Sequence, residues 1–258
     1  MPELFEFQKK GIQFLVRTRR ALLADEMGLG KTVQAIYACR ANQARHVLVI
    51  CPNTLKWTWK KEIEKWDPVK SIQVVEGSSD ERQRQYQKRE SFTIVNYELL
   101  TYERKTKGQR TRPWSNDVKT LEKLKWDIVI VDEASRVKNR KAQVTKAVKK
   151  ITKGINHVYL LTGTPLLNRV EELWSLMNIL YPDIYTSYWR FVEEYCYVYF
   201  NGWGTQIGVS RPDKMPELKR ILSLFSLRRL KKDVLKTLPR ALPIRKIWVP
   251  LIGEQRRI

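Results

Sequence analysis

The 258 residues include 49 lysines and arginines against 27 aspartates and glutamates, which gives a formal net charge of +22 and a pI near 10.0. This excess favours a polyanionic partner, usually nucleic acid, although a lysine-rich surface kept for solubility is also compatible with it. The chain has no run of about 18 apolar residues and no apolar core near its first residues, so we expect neither a membrane partner nor a secretory signal. Its three cysteines lack a CxxC spacing. This argues against disulfides and a cysteine zinc site, and favours an intracellular setting, either the cytoplasm of a prokaryote or virus-infected cell, or a nucleus.

Short apolar runs occur at intervals along most of the chain and are separated by longer segments with helical periodicity. This alternation is typical of an α/β fold with a mostly parallel central sheet. The predicted strands are Ala21–Ala24, Val47–Ile50, Ile72–Val75, Phe92–Val95, Ile128–Val131 and Val158–Leu161.

The segments between and after these strands have apolar residues at helical spacing. Tryptophans at this spacing are more often core residues than base-stacking surfaces, and we predict core positions for Trp57, Trp59, Trp66 and Trp174. The predicted helices are Phe7–Arg17, Thr32–Ala41, Leu55–Trp66, Glu81–Arg89, Ala142–Ile151 and Arg169–Leu180.

Two regions depart from the alternation. Residues Glu103–Lys125 are polar and basic, and they are predicted as an exposed loop followed by a short helix. From about Tyr181 the periodicity is helical, which predicts a helical insertion whose aromatic run Trp189–Phe200 forms its packed face; a last strand is predicted at Ile244–Val249. The predicted division is a core at 1–180, an inserted segment of the same lobe at 181–240, and a return strand with the start of a linker at 241–258.

The segment after the first predicted strand has the composition of a phosphate-binding loop. Backbone N–H groups of such a loop bind phosphates at the N-terminus of the following helix. Lys31 would reach the β- and γ-phosphates and Thr32 would ligate magnesium. The common pattern begins with glycine where this chain has Asp25, so a coincidental Gly-Lys-Thr turn is the alternative. The candidate nucleotide-binding residues of this segment are Asp25, Glu26, Met27, Gly28, Leu29, Gly30, Lys31 and Thr32.

The predicted strand Ile128–Val131 leads directly into two carboxylates. In parallel sheets, residues at the carboxyl ends of strands face the crevice where ligands bind. Asp132 suits the coordination shell of Mg²⁺, and Glu133 suits a residue that orients or deprotonates an attacking water. The alternative is an acidic pair that only complements a helix dipole. The phosphate loop upstream favours the catalytic interpretation, with Lys31, Asp132 and Glu133 as the catalytic residues.

Three blocks of the sequence together carry a family resemblance. They are Leu23–Thr32, Asp132–Ser135 and Leu161–Pro165, the last within the longer block LLTGTPLLNRVEELWSLMNIL at 160–180. They resemble motifs I, II and III of the superfamily-two helicases, and more narrowly those of the SWI/SNF-related DNA translocases. In that family the phosphate loop typically begins with the Asp-Glu pair that this chain carries. The resemblance implies a RecA-like three-layer sandwich with a helical insertion after motif III.

Further blocks match the same family in order along the chain. Phe5 and Gln8 resemble the adenine-reading Q motif, Cys51–Leu55 resembles motif Ia, Asn96–Glu98 resembles the next DNA-facing motif, and Arg228–Val234 resembles a late block of the same lobe. The residues that the resemblance assigns to DNA contact are Pro52, Asn53, Thr54, Asn96 and Tyr97. Those that it assigns to coupling are Thr162, Gly163 and Thr164.

The implied function is ATP binding and hydrolysis with Mg²⁺, coupled to tracking along double-stranded DNA without strand separation. The match covers the first of two RecA-like lobes, so the expected partners are duplex DNA and a second, downstream lobe, and the isolated lobe is expected to bind ATP but to hydrolyse it poorly. Motif II ends in Ser135 where the family usually has histidine, so its coupling to motif III is expected to differ. Arg228 and Arg229 are expected to serve this lobe rather than to act as arginine fingers.

Two other functions stay open at this point. One is a superfamily-two helicase lobe that acts on RNA or unwinds DNA. The other, of a different class, is an ATP-sensing or protein-docking module that does not hydrolyse ATP.

Overall fold

The computed structural model describes residues 3–102, 113–164, 169–200, 202 and 204–234. Helices and strands alternate along most of this length, as the sequence pattern predicts. The strands are β1 Arg20–Leu23, β2 Val47–Cys51, β3 Ile72–Val74, β4 Phe92–Asn96, β5 Ile128–Val131, β6 His157–Leu161, β7 Cys196–Phe200, β8 Thr205–Ser210 and β9 Ser226–Leu227. The helices are α1 Glu6–Thr18, α2 Lys31–Ala41, α3 Lys56–Trp66, α4 Ser79–Gln87, α5 Asn116–Lys123, α6 Gln143–Ile151, α7 Val170–Leu180, α8 Tyr188–Tyr195, α9 Met215–Phe225 and α10 Lys231–Val234.

The centre of the molecule is a seven-stranded sheet in the order β3-β4-β2-β5-β6-β1-β9. All neighbouring pairs in it are parallel. Strands such as β2 and β5 are buried along their whole length. This explains their continuous apolar sequences, since a parallel sheet is covered on both faces. The six strands predicted from the sequence are all present.

Helices cover both faces of the sheet, which makes a three-layer sandwich. Alternate residues of each strand point to opposite faces, so Leu22 and Leu48 belong to one core and Leu23 and Val49 to the other. Helices α1, α2 and α3 pack on the second of these cores, and α5 to α9 with the end of α4 pack on the first. The predicted fold class is confirmed.

The segment after α7 differs from the predicted helical insertion in two ways. It contains an antiparallel hairpin of β7 and β8 between α8 and α9, because aromatic and β-branched residues on either side of a glycine-rich turn favour strands over a helix. It also contributes β9, which pairs with Leu22 and Leu23 in the central sheet. Phe191 and Leu218 of this segment are buried in the same core as α7. The segment is therefore packed into the lobe, and it is not purely helical.

The aromatic run Trp189–Phe200 was predicted as a packed face, and this is wrong for its second half. Tyr197, Tyr199 and Phe200 are exposed on the hairpin, whereas Phe191 and Tyr195 of α8 are buried. The difference follows from the change of periodicity. The helical half buries one face, whereas no layer of the described residues packs over these three side chains of the hairpin.

The remaining predictions concern the loop, the cysteines and the chain after α10. Helix α5 confirms the short helix predicted within Glu103–Lys125, while the loop at 103–112 and the strand predicted at Ile244–Val249 lie outside the described residues. The three cysteines are free and buried. In the part of the chain that the structure describes, no helix is long and apolar enough to cross a membrane.

Candidate nucleotide-binding site

The phosphate loop joins β1 to α2 at the carboxyl edge of the sheet. Gly28 and Gly30 have φ angles of 81° and 71°, a conformation that glycine adopts without steric cost. Helix α2 begins at Lys31, so the N–H groups of its first turn have no partner within the helix and face the loop. The Lys31 ammonium donates to the carbonyl oxygens of Asp25 and Glu26, at 2.9 and 3.4 Å. The loop therefore surrounds a cation with free backbone donors, which is an environment for phosphate.

Asp25 is held from behind by an arginine that lies far along the chain. The Arg229 backbone N–H and its Nε both donate to Asp25 Oδ1, at 3.1 and 2.9 Å, and Nη2 donates to Gln34 Oε1 at 2.8 Å. Gln34 in turn donates to Asp25 Oδ2, and the guanidinium lies over the ring of Phe7. Asp25 is fully buried. Its carboxylate is thus occupied inside the protein, and Asp25 fixes the loop rather than facing phosphate.

The same late block contacts the loop at further points. Arg228 Nη1 donates to the Ala24 carbonyl at 3.0 Å, and the Lys231 N–H donates to Glu26 Oε2 at 2.7 Å. A Cβ built at Gly28 would lie 3.2 Å from the Lys231 ammonium. The segment after β9 therefore closes one side of the loop, which agrees with the expected role of Arg228 and Arg229 inside this lobe. Sequence reasoning did not identify Arg229 as the partner of Asp25.

The acidic pair lies at the end of β5. Asp132 accepts the Glu133 N–H on Oδ1 at 2.9 Å and the indole N–H of Trp59 on Oδ2 at 2.8 Å. Glu133 has φ 48°, in the left-handed region that is unusual for a residue with a side chain. Strain of this kind is found preferentially at functional sites. The sequence pattern that predicted the acidic pair gave no indication of this backbone conformation at Glu133.

The charges at this edge influence one another. Burial raises the pKa of Asp132, and burial together with the charge of Asp132 raises the pKa of Glu133. Burial lowers the pKa of Lys31, and the carboxylates of Glu133, Asp132 and Asp25 oppose that shift. The phosphate loop and the acidic pair line one cavity, as the sequence predicts, and their charges lie close enough to interact.

A cavity of about 500 Å³ lies between the two elements. Its volume is in the range of roughly 300–1,000 Å³ that is common for small-molecule sites. Lys31, Thr32, Asp132 and Glu133 all line it. The other lining residues come from α1, the phosphate loop, α2, the short 3-10 helix before α3, and α3 itself: Gln8, Met27, Gly28, Gly30, Val33, Leu55, Thr58, Glu62 and Trp66.

The residues present fit a magnesium nucleotide better than a metal held by protein alone. Among the described residues, no group of three or more His, Cys, Asp or Glu side chains could hold a metal ion. Mg²⁺ typically takes one or two protein ligands and completes its shell with phosphate oxygens and water. Thr32 and Asp132, which line the same cavity, match that donor set.

The predicted coupling segment lies directly against the phosphate loop. A Cβ built at Gly163 would come within 2.6 Å of the Met27 side chain and 3.3 Å of the Lys31 ammonium, so only glycine fits there without a shift. Thr162 is buried and its hydroxyl lies 2.9 Å from that of Thr164. The sequence-predicted residues of motifs I and III are therefore brought together.

The two Q-motif residues lie next to the loop but differ in exposure. Gln8 is buried, its Oε1 accepts the Phe5 N–H at 3.1 Å, and its amide donates to the Leu29 carbonyl at 3.4 Å. The Phe5 ring is exposed and stacks on Phe7. Gln8 thus contacts the nucleotide loop itself, and a role in reading adenine stays a prediction.

The residues predicted to contact DNA divide into two groups. Asn53 and Thr54 are exposed in a short 3-10 helix just before α3, and Pro52 precedes them. Tyr97 is buried and its hydroxyl donates to the Asp132 carbonyl at 2.5 Å. The ring therefore belongs to the core, and DNA contact by the segment that Tyr97 begins stays a prediction. Asn96 is largely buried and donates to Glu98 at 2.8 Å.

The structure also places the tryptophans predicted in the core and the serine at the end of motif II. Trp57 is 51% exposed, so its predicted core position is wrong, while Trp59, Trp66 and Trp174 are buried as predicted. Ser135, in the position where histidine was expected, has its hydroxyl 3.5 Å from the Glu133 carbonyl, within its own turn.

Comparison with known proteins places this geometry in a family. The sequence profile of the SNF2-related domain matches residues 7–258. The chain belongs to this family. Human "DNA annealing helicase and endonuclease ZRANB3" is 34% identical to this SNF2-related domain over 244 residues, which are 92% of this chain and 21% of that protein. The "ISWI chromatin-remodeling complex ATPase ISW1" of Saccharomyces cerevisiae is 31% identical over 248 residues, covering 90% of this chain and 20% of that protein.

A solved structure agrees with the fold. The SWI2/SNF2 ATPase core of Sulfolobus solfataricus, in complex with dsDNA, has a TM-score of 0.72 and 28% identity, over 92% of this chain and 47% of that chain. The SNF2-related domain described here therefore has the RecA-like fold of that core. It spans about a fifth of the curated relatives and about half of the solved core.

Proposed function

We propose that this chain is the nucleotide-binding lobe of an ATP-dependent motor that moves along double-stranded DNA. The observation that carries the proposal is the cavity lined jointly by Lys31, Thr32, Asp132 and Glu133. A cation, a hydroxyl and two carboxylates around one ATP-sized cavity are the groups that phosphoryl transfer requires.

Each of these groups has a separate role in the proposal. Lys31 and the N–H groups at the start of α2 bind the phosphates, since charge-assisted hydrogen bonds to phosphate are strong. Thr32 and Asp132 hold Mg²⁺, which when bound neutralises charge on the phosphate oxygens. Glu133 orients the attacking water and accepts its proton. Burial raises the pKa of Glu133, and a raised pKa favours a base that is active near neutral pH.

DNA binding in the proposal uses the turns at the carboxyl ends of β2 and β4. Asn53 and Thr54 are exposed in the turn after β2 and would donate to the phosphates of one DNA strand. Contacts of this kind position a protein on DNA and carry no sequence code. The net charge of +22 adds a non-specific electrostatic attraction. The double-stranded DNA in the related core structure supports the choice of duplex DNA. A second RecA-like lobe would complete the motor. Movement along DNA would place the chain inside the cell.

Calorimetric titration with magnesium ATP tests the nucleotide site. Lys31→Ala should lower the affinity about 100-fold or more, because hydrogen bonds from a charged donor contribute about 1.5–3 kcal/mol each and Lys31 would make at least two. Lys123→Ala is the matched control, since Lys123 is an exposed lysine on α5, which packs on the other face of the sheet. Equal affinity of the Lys31 and Lys123 variants would contradict the assignment of the cavity.

A further inference from the structure

The carboxylate of Asp132 lies where three neighbouring strands end. Strand β2 runs between β4 and β5, with Cys51 opposite Asn96 and Ile50 opposite Val131. The Asp132 N–H donates to the Ile50 carbonyl at 2.8 Å. The two turns to which we assign DNA contact follow β2 and β4, so both of them begin beside Asp132.

The turn after β2 leads to Asp132 through Trp59. The short helix Asn53–Leu55 continues directly into α3, and Trp59 lies in the first turn of that helix. Its indole N–H donates to Asp132 Oδ2 at 2.8 Å, and Trp59 is only 1% exposed. Because the other oxygen accepts the Glu133 N–H, both carboxylate oxygens are fixed by hydrogen bonds.

The turn after β4 leads to the same residue through Tyr97. This residue begins the short helix Tyr97–Leu99, and its hydroxyl donates to the Asp132 carbonyl at 2.5 Å. Tyr97 is 2% exposed, and the guanidinium of Arg136 lies over its ring. The side chain of Asp132 is therefore held by an aromatic donor from α3, next to the first turn, and its backbone is held by an aromatic donor from the second turn.

We propose that Trp59 and Tyr97 are positioning residues through which DNA bound at the two turns changes the affinity of the site for magnesium nucleotide. The inference rests on the proposed function. Buried, fully satisfied hydrogen bonds transmit a displacement because the donors have no solvent to exchange with. A shift of either turn moves its aromatic donor, and this changes the orientation of the carboxylate that would hold Mg²⁺. By linkage, nucleotide then changes DNA affinity by the same factor.

The test measures this coupling in the 258-residue chain. The affinity for magnesium ATP is determined by calorimetry with and without a saturating short duplex of mixed sequence, and the coupling is the ratio of the two. We expect a ratio of about five or more in either direction for the unmodified chain, the lower end of common allosteric couplings. Trp59→Phe and Tyr97→Phe each remove one hydrogen bond, and each should move the ratio toward one. Duplex affinity without nucleotide should stay unchanged for Trp59→Phe, since Trp59 lies in α3 and not in either turn.

Two control variants carry the same substitutions elsewhere. Trp57→Phe changes an exposed indole two residues away on α3. Tyr86→Phe removes a phenol that is equally buried and donates to Asp117, at 2.9 Å. Both controls should keep the ratio of the unmodified chain. A thermal melt of each variant separates loss of coupling from loss of folding, and Tyr97→Phe, which removes a single oxygen, is expected to fold.

The metal dependence provides a second readout. Trp59→Phe should reduce the gain in ATP affinity on adding Mg²⁺ while leaving affinity for metal-free ATP unchanged, which a purely structural role would not do. If the unmodified chain binds both ligands but has a coupling ratio of one, this inference is overturned and the proposed function is not. The same holds if Trp59→Phe and Tyr97→Phe both keep the coupling ratio of the unmodified chain. An unmodified chain that binds neither ligand would overturn the proposed function as well.

Discussion

The carboxyl edge of the central sheet and the β7–β8 hairpin are built in opposite ways. At the edge, Asp25 and Asp132 are 0% and 7% exposed, and both have charged or hydrogen-bonding partners from distant parts of the chain. On the hairpin, Tyr197, Tyr199 and Phe200 are 51%, 53% and 73% exposed. The edge is held by a few contacts between residues far apart in the chain, whereas these three side chains form the exposed face of the hairpin. Substitutions should have large effects at the first and small effects at the second.

The largest expected effect concerns the rate of ATP hydrolysis at the carboxyl edge. In the proposed function, Lys31, Thr32, Asp132 and Glu133 supply the phosphate, metal and water contacts, and we propose that an arginine of a second lobe faces the γ-phosphate. Such an arginine typically adds about 10³–10⁵ to the rate of hydrolysis. We therefore expect this chain to bind ATP and to hydrolyse it slower by about that factor than the same chain followed by the second lobe of a two-lobe relative.

Steady-state ATPase of both proteins, with and without duplex DNA, measures this difference. Glu133→Gln in the two-lobe protein should abolish turnover and retain ATP binding, which separates chemistry from binding. If the single lobe alone reaches the DNA-stimulated rate, the edge is complete without a partner, and Arg228 and Arg229 become the residues to test.

The second largest effect is expected at the buried pair behind the phosphate loop. Arg229→Ala leaves the Asp25 carboxylate buried without its cation, and breaking a buried pair typically costs about 3–5 kcal/mol. Urea unfolding measures the loss. Arg228→Ala is the control, because Arg228 is exposed and donates to backbone carbonyls, so its loss should cost about 1.5 kcal/mol or less. Similar losses for both variants would mean that the loop is not held by the Asp25–Arg229 pair.

The comparison also separates what sequence could predict from what it could not. The strands, the phosphate loop and the acidic pair follow from local patterns: apolar runs, a glycine-rich turn before a helix, and carboxylates after a buried strand. Each of these signals lies within a dozen residues or so, which is the reach of periodicity and turn composition. Asp25 and Arg229 are 204 positions apart, and no local pattern joins them.

The errors have the same origin. Trp57 and Trp59 have almost the same local environment in sequence, yet only Trp59 faces Asp132 and is buried. For Tyr97, the motif predicted DNA contact, and no local pattern indicated that its ring packs into the core and donates to Asp132. The hairpin was missed because the five residues of β7, four of them aromatic or β-branched, follow a helix and continue its apolar character. Only the pairing with β8 selects the strand.

A moderate effect is expected at the proposed DNA-facing turn. Replacing Asn53 and Thr54 together by alanine removes two neutral hydrogen-bonding side chains and should lower duplex affinity about 10-fold. The dependence of affinity on salt should keep its slope, about −0.9 per neutralised phosphate, because no charge is removed. Fluorescence anisotropy across a salt series measures both quantities.

The matched control removes exposed polar side chains from the hairpin, with Thr205 and Gln206 replaced by alanine. These changes should leave duplex affinity unchanged. A loss that is equal for the turn and the hairpin, or a strong preference for one DNA sequence, would contradict a phosphate-tracking turn at the carboxyl edge.

The smallest effect is expected on the exposed face of the hairpin. Phe200 is 73% exposed, so its apolar surface is largely in contact with water in the folded state as well. Phe200→Ala should therefore change the free energy of unfolding by about 0.5 kcal/mol or less. Phe191→Ala makes the same substitution in α8, where the ring is 4% exposed and belongs to the core under the sheet, and it should cost about 3–5 kcal/mol. Urea unfolding of the two variants, with magnesium ATP affinity measured alongside, tests the contrast between the two halves of one aromatic run. A loss above about 2 kcal/mol for Phe200→Ala, well beyond what an exposed side chain contributes, would show that the hairpin face is packed in solution and that local pairing alone does not hold it.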